Sequence, residues 1–181
     1  NEILIKHDAL MEGYYKNTAL TNEIIKDGWL HTGDEGEIDA DGFLKITGRV
    51  KDIFKTSKGK YVAPSPIEMT LSSNKNIEQV CVVGTGIPNP IALVTLSEIG
   101  LNKLKSDLSQ NLSNTLKKVN ENLESHETIY KIVILNQEWT VENGFLTPTM
   151  KIKRKSIEKL FKKNYLNWYE SENKIVFTDL N

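Results

Sequence analysis

Residues 29–55 constrain the fold of this chain more than any other segment. They place the acidic side chain of Asp34 between two glycines, in what the pattern predicts to be a tight turn. The dipeptide Asp41-Gly42 then separates two short runs of strand-forming residues, which predicts a β-hairpin. We therefore expect residues 1–49 to be the end of a β-rich unit whose beginning lies upstream of this sequence.

The pattern changes after residue 49, where short apolar runs alternate with segments of helical spacing. From the second hairpin strand onward the predicted order is strand, strand, helix, strand, strand, helix, strand, helix. Strands mixed with helices in this order predict the α+β fold class. The predicted strands are residues 50–55, 79–83, 91–96 and 129–135; helices are predicted to begin at Pro64 and to cover residues 101–125 and 153–163.

Composition narrows the class of protein. The 181 residues are 39% hydrophobic, which is enough for a buried core, and the net charge of -1 gives no global reason for a nucleic-acid partner. Cys81 is the single cysteine, so an internal disulfide is excluded and a cytoplasmic location is favoured. Because it lies in an apolar run, we interpret it as a core thiol and not as a nucleophile. No segment approaches the roughly 18 consecutive apolar residues of a membrane span.

Three sequence motifs together indicate which protein family this chain resembles. They are the run Gly-Arg-Val-Lys-Asp at residues 48–52 with Asp34 before it, Val-Ala-Pro-Ser-Pro-Ile-Glu at residues 62–68, and Leu-Thr-Pro-Thr-Met-Lys-Ile-Lys-Arg at residues 146–154. The set resembles the adenylate-forming superfamily of acyl-CoA synthetases, peptide-synthetase adenylation domains and luciferases. The second and third motifs have the form found in long-chain fatty acid–CoA ligases.

The resemblance implies a domain organisation and four site residues. Residues 1–49 would end the large adenylation domain, and residues 50–181 would form the small mobile C-terminal α+β domain. Asp34 and Arg49 would bind the ribose of ATP, for which a carboxylate and a planar guanidinium are suited. Lys51 would be the hinge about which the small domain rotates, and Lys151 would contact the acyl carboxylate and the α-phosphate.

A loop of five residues would approach the pantetheine arm of CoA. Relatives have a Gly-Gly pair here, whereas this chain has a lysine followed by a single glycine, and it likewise has Met150 where relatives have a glycine before the catalytic lysine. Glycine permits close backbone approach and positive φ, so both departures bear on loop geometry. The loop residues are Thr56, Ser57, Lys58, Gly59 and Lys60.

The reaction implied by the resemblance is that of an AMP-forming acid–thiol ligase. A fatty acid and ATP would give acyl-AMP, and CoA would then give acyl-CoA after rotation of the small domain. The phosphate loop and the acyl-binding segment of the family are not in these residues, so Mg²⁺ would be held mainly by the large N-terminal domain of the same protein. We expect no metal ligand here, and we expect the isolated chain to be inactive.

Two alternatives stay open at this point. Within the superfamily, the parent protein could adenylate an aryl or amino acid or load a carrier protein. Outside it, the chain could be a non-catalytic binding domain, because residues 151–163 contain seven basic residues and aromatic residues follow. We interpret this segment as an amphipathic helix with a solvated basic face. Nucleic-acid binding is not expected, and peripheral contact with a membrane is left open.

Overall fold

The computed structural model describes residues 2–178. The chain divides into two compact units whose boundary lies between Asp52 and Ile53. Both units contain helices and strands, and the α+β fold class is confirmed.

The first unit is built on one long strand, β3, to which three shorter strands are paired in antiparallel orientation. The predicted hairpin is present, and its turn is held by Asp39 Oδ1, which accepts hydrogen bonds from the backbone N–H groups of Asp41 (3.0 Å) and Phe43 (2.9 Å). The elements are β1 Glu2–Ile5, α1 Thr18–Ile24, β2 Ile25–Lys26, β3 Trp29–Ile38, β4 Leu44–Arg49 and a 3₁₀ turn at Val50–Asp52.

Two local predictions are wrong in this region. Asp34 does not lie in a tight turn but inside β3, because the positive φ of Gly33 (73°) and the register shift between Glu35 and Gly36 bend the strand without ending it. The strand predicted for residues 50–55 is mostly absent. Residues 50–52 form the 3₁₀ turn, and only Phe54–Lys55 finds a strand to pair with.

The second unit is a mixed four-stranded sheet of order β10-β9-β8-β7, with helices packed on both faces. Strands β7 and β8 are antiparallel, whereas β8, β9 and β10 run parallel. A short hairpin, β5 with β6, precedes it. The elements are β5 Phe54–Lys55, β6 Tyr61–Val62, α2 Pro64–Leu71, β7 Ile77–Val83, β8 Ile91–Leu96, α3 Glu98–Leu101, α4 Lys105–Asn120, β9 Lys131–Ile134, α5 Arg154–Phe161, a 3₁₀ turn at Lys162–Asn164, α6 Tyr165–Glu170 and β10 Ile175–Phe177.

The alternation of side chains along the strands produces two cores. Val80 and Val82 face the cluster that contains the apolar residues of α2 and α4, whereas Cys81 and Val83 face the cluster that contains those of α5 and α6. Burial of both faces explains why residues 80–83 of β7 form a continuous apolar run. Cys81 is fully buried, which confirms that it is a core residue.

The helical predictions are right in kind and wrong in extent. Of the helix predicted over residues 101–125, only Lys105–Asn120 is one helix, α4, whereas Leu101 is the last residue of α3. Leu101 and Leu104 are exposed because the chain turns between the two helices. The predicted last helix is α5, which continues through the 3₁₀ turn into α6. Strand β10 was not predicted, since a three-residue edge strand becomes recognisable only when its partner β9 is in place.

Candidate functional site

Asp34 and Arg49 face each other across strands β3 and β4. They are register partners, and Arg49 Nε lies 3.0 Å from Asp34 Oδ1. The Asp34 side chain is 29% exposed, so it is accessible from solvent. Within residues 2–178, no hydrogen bond reaches the second carboxylate oxygen of Asp34, which leaves an acceptor for a hydroxyl. The structure thus brings together the two residues predicted to bind a ribose.

The backbone beside Asp34 is fixed by neighbours on two strands. Thr32 Oγ1 accepts from the Asp34 N–H (3.1 Å) and donates to the Ile3 carbonyl (2.8 Å). Glu2 accepts from the Gly33 N–H (2.9 Å) and pairs with His31 Nδ1 (2.8 Å). These two hydrogen bonds, with that to His31 the larger effect, lower the pKa of Glu2. Sequence reasoning missed Glu2, because its contacts are 29 to 31 residues away.

Lys51 lies in the 3₁₀ turn and pairs with an acidic residue of α1. Its ammonium nitrogen is 2.8 Å from Glu23 Oε1, and both side chains are exposed. The hydrogen bond between them raises the pKa of Lys51 and lowers the pKa of Glu23. An exposed pair of this kind is weak, so it can open without a large cost in free energy. The assignment of Lys51 as a hinge stays a prediction.

The loop at residues 56–60 is a tight turn between β5 and β6, as predicted. Thr56 donates from its N–H (2.9 Å) and its hydroxyl (3.3 Å) to the Lys60 carbonyl, and the Gly59 N–H donates to the Thr56 carbonyl (3.0 Å). Gly59 has a φ of 79°, a conformation in which a side chain is strained. Ser57 is tied by its N–H to the Ile87 carbonyl (3.0 Å). The turn therefore needs only one glycine.

The two lysines of this loop differ in their surroundings. Lys58 donates to Asn89 Oδ1 at 2.9 Å, which holds its side chain along the surface. Lys60 is exposed and makes no side-chain hydrogen bond to any residue between 2 and 178. Thr56 beneath them is buried, so the loop has a fixed base and a positively charged, accessible tip.

Lys151 lies in a second tight hairpin, closed by the bridge between Leu146 and Ile152. Thr147 holds it at both backbone groups: the Thr147 N–H donates to the Lys151 carbonyl (2.8 Å), and the Lys151 N–H donates to Thr147 Oγ1 (3.0 Å). The side chain of Lys151 is exposed, and its ammonium has no hydrogen-bond or ion-pair partner in the described part of the chain. Met150 has a φ of 62°, the left-handed conformation that a glycine adopts without strain.

A part-buried ion pair anchors the chain directly after this hairpin. Arg154 donates two hydrogen bonds to Glu68, at 2.7 Å and 2.9 Å, and a third to the Val82 carbonyl at 2.6 Å. Glu68 also accepts from the Val82 N–H at 2.7 Å. The pair thus satisfies both backbone groups of Val82 on the outer edge of β7, which is the last strand of the sheet formed by the described residues. Sequence reasoning quoted Glu68 and Arg154 in separate motifs and did not connect them.

The predicted residues are divided between the two units. Asp34, Arg49 and Lys51 belong to the first unit, and the 56–60 loop and Lys151 belong to the second. Among residues 2–178, no hydrogen bond joins the 56–60 loop to the hairpin of Lys151.

The described residues offer no metal centre. No group of three or more histidine, cysteine, aspartate or glutamate side chains within residues 2–178 could hold a metal ion. No helix in the same range combines the length and the apolar character needed to span a bilayer.

Comparison with curated proteins identifies similar sequences. The chain is 37% identical to long-chain-fatty-acid–CoA ligase 5 of Rattus norvegicus, over 94% of this chain and 28% of that protein. It is 35% identical to a long-chain-fatty-acid–CoA ligase of Mycobacterium tuberculosis, over 94% of this chain and 31% of that protein. The chain therefore spans less than a third of the length of these relatives.

Comparison with solved structures identifies proteins with a similar fold. The adenylation domain of a carboxylate reductase from Mycobacterium chelonae matches with a TM-score of 0.81 and 25% identity, over 94% of this chain and 28% of that one. The o-succinylbenzoate–CoA synthetase of Bacillus subtilis, solved with AMP, matches with a TM-score of 0.64 and 22% identity, over 87% and 30%. The model of the AMP-binding enzyme C-terminal domain matches residues 51–173, well over half of the chain. This chain belongs to the family of AMP-binding enzyme C-terminal domains.

Proposed function

We propose that the protein containing this chain is an ATP-dependent long-chain fatty acid–CoA ligase. The observation that supports this most strongly is that relatives named as long-chain ligases match 94% of the chain at 35–37% identity. Residues 1–49 would close the large adenylation domain, and residues 50–181 would be the small C-terminal domain. The substrates would be a fatty acid, ATP and CoA.

In the first step the acid is activated as acyl-AMP. Asp34 would accept hydrogen bonds from the ribose hydroxyls, while Arg49, 3.0 Å from Asp34 Oδ1, orients the carboxylate and contacts the ribose as well. Lys151 would place its ammonium between the acyl carboxylate and the α-phosphate, where negative charge develops as the carboxylate attacks phosphorus and pyrophosphate leaves. Support comes from its exposure, from its lack of a partner within residues 2–178 and from the rigid hairpin below it.

In the second step the CoA thiol attacks the acyl carbonyl and AMP leaves. Rotation at Lys51 would withdraw Lys151 and bring the 56–60 loop to the pantetheine arm. A hinge requires a few residues that can change backbone angles at low cost, and the 3₁₀ turn at Val50–Asp52 lies at the boundary between the two units. The positively charged tip of the loop, Lys58 and Lys60, suits the phosphates of CoA.

The proposed partner of this chain is the large domain of the same protein. The β3–β4 hairpin exposes Ile38 (73%), Phe43 (71%) and Ile46 (65%), a set of apolar side chains that favours packing against further protein. We infer that Mg²⁺ would be held mainly by that larger part. The chain alone would then be inactive, and a cytoplasmic location is proposed for the whole protein.

The test uses the full-length protein with ATP, Mg²⁺, CoA and a mixture of carboxylic acids of different chain length, with acyl-CoA products identified by mass spectrometry. We expect long-chain acyl-CoA from the wild type. Lys151→Ala should lower adenylation about 10²- to 10³-fold, the usual effect of removing one electrostatic contact to a transition state. The same variant should still convert supplied acyl-AMP to acyl-CoA. Lys153→Ala, an exposed lysine two residues away, is the matched control. Absence of acyl-CoA from every acid would refute the assignment.

A second candidate is transfer of the acyl group to a carrier protein. It is favoured by the match to adenylation domains of carboxylate reductases, one of them solved as a didomain with a peptidyl carrier protein (TM-score 0.75, 26% identity). The same assay distinguishes the two candidates when CoA is replaced by a phosphopantetheinylated carrier protein. Acylation of the carrier in the absence of any acyl-CoA product would favour this second function.

A further inference from the structure

The helical segment after Lys151 presents a row of lysines on its exposed side. Ile157 and Phe161 of α5 are buried in the core, which fixes the orientation of the helix. The side opposite the core contains four exposed lysines at positions i, i+4, i+7 and i+8, which is the spacing of one helix face. We call this set the lysine face; it consists of Lys155, Lys159, Lys162 and Lys163.

The positive charge of the lysine face is not compensated locally. Within residues 2–178, no carboxylate forms an ion pair with any of the four ammonium groups. Glu158 on the same helix is half-buried and accepts a hydrogen bond from Thr85 at 3.4 Å. Successive lysines of the face are separated by at most about 6 Å along the helical axis, which is shorter than the screening length of roughly 8 Å at physiological salt. Neighbouring charges therefore act together on an anionic partner.

Two leucines are exposed within the same segment. Leu160 is 42% exposed and Leu166 is 53% exposed, and each is three residues from Lys163. Residues three apart are neighbours on a helix surface, so apolar side chains adjoin the basic ones. A positively charged surface with adjacent leucines matches a bilayer interface, where lysines meet anionic headgroups and leucines enter the acyl boundary.

Two of the three aromatic residues that follow, Tyr165 and Trp168, are not available for stacking on bases, and the third, Tyr169, is half-buried and already stacks on another tyrosine ring. Tyr165 is 2% exposed and Trp168 is 8% exposed, because both pack in the core cluster with α5. Nucleic-acid surfaces combine basic residues with accessible aromatic or arginine side chains, and Arg154, the arginine of this segment, is engaged with Glu68. The charge pattern therefore fits a lipid surface better than RNA.

We propose that the lysine face with Leu160 and Leu166 is a docking surface for membranes rich in anionic phospholipid. This inference goes beyond the proposed ligase function and does not depend on it. Each lysine near an anionic surface contributes about a fivefold gain in partitioning, so the four together contribute more than a hundredfold. Each leucine adds about threefold to tenfold if it is partly buried in the interface.

The experiment is co-sedimentation of the full-length protein with vesicles of phosphatidylcholine alone or with 30 mol% phosphatidylserine. We expect binding only to the mixed vesicles, weaker at higher salt, and lost at least a hundredfold when all four lysines of the face are changed to glutamine. The matched control changes four exposed lysines elsewhere in the second unit, so that the net charge falls equally; they are Lys75, Lys103, Lys117 and Lys118.

The leucine variant Leu160→Ser/Leu166→Ser separates insertion from simple charge attraction, and it should bind about tenfold or more weakly to the mixed vesicles. Equal loss in the control and in the lysine-face variant would overturn the proposal, since net charge alone would then explain binding. Unchanged binding of the lysine-face variant would overturn it as well. So would wild-type retention on polyuridylate without binding to the mixed vesicles, because the surface would then be one for nucleic acid. All substituted side chains are exposed, and thermal unfolding checks that each variant folds.

Discussion

Replacing Glu68 by glutamine tests whether the ion pair with Arg154 holds the edge of the sheet. The carboxylate accepts two hydrogen bonds from the guanidinium, at 2.7 Å and 2.9 Å, and one from the Val82 N–H at 2.7 Å. Glutamine has a similar size, keeps one acceptor and removes the charge. It also turns an NH₂ group towards the guanidinium, so Arg154 loses the opposite charge of the Glu68 carboxylate.

The expected cost follows from the burial of the pair. Removing one partner of a buried pair costs about 3–5 kcal/mol, because the remaining charge stays desolvated. The side chains of Arg154 and Glu68 are 12% and 17% exposed, so water reaches them slightly and the lower end applies. We expect a loss of about 3 kcal/mol in the free energy of unfolding, or a fall of about 10 °C in the melting temperature of the second unit.

The assay is thermal and urea unfolding of the protein, with Glu23→Gln as the matched control. Glu23 makes an ion pair of similar length, 2.8 Å, with Lys51, but both side chains are exposed, and we expect no measurable shift. The double variant Glu68→Gln/Arg154→Met should recover part of the lost stability, because it also removes the desolvated guanidinium charge. A shift below about 2 °C for Glu68→Gln, or a double variant that is less stable than the single one, would refute the reasoning.

Three further predictions concern single residues. Burial lowers the pKa of Lys131, whose ammonium donates to the carbonyls of Ser171 and Asn173. In the unfolded state this lysine therefore keeps its proton to a higher pH than in the folded state. The stability of wild type relative to Lys131→Met should rise as the pH approaches 10.5, by at most about 1.4 kcal/mol per pH unit. Urea unfolding of both proteins across this range measures the difference in stability, and a difference that does not change with pH would contradict the reasoning. Met150→Gly should raise the free energy of unfolding by about 0.5–1 kcal/mol, by relief of the positive φ, whereas Met150→Ala should not, and a gain in both would contradict this explanation. Gly59→Ala should lower the free energy of unfolding by about 1 kcal/mol, because alanine is strained at the positive φ of this position. The same variant should slow acyl transfer to CoA, measured with supplied acyl-AMP, while adenylation, measured with the free acid, is unchanged.

Elements set by neighbouring residues could be predicted from the sequence. The hairpin at Asp41-Gly42, the turn at Gly59 and the helix that begins at Pro64 each depend on the backbone preference of one or two residues. The strands around Val80 and Val94 were predictable because both faces are apolar. The family was predictable because its motifs are short and contiguous in the chain.

Contacts between distant parts of the chain were not predictable. Arg154 and Glu68 are 86 residues apart, and nothing near either residue indicates the other. Strand β10 and the break between α3 and α4 depend on which surfaces the sheet leaves open. The basic segment was correctly interpreted as an amphipathic helix, but only the packing shows that two aromatic residues after it, Tyr165 and Trp168, are buried.

The sequence by itself determined the fold class, the family and the identity of the candidate residues, since these follow from local propensity and from motif spacing. The tertiary structure decided how those residues are held. It paired Asp34 with Arg49 through strand register, fixed the hairpin of Lys151 through Thr147 and anchored it to β7 through Arg154. Register and long-range pairing depend on the simultaneous burial of many side chains, which no local pattern specifies.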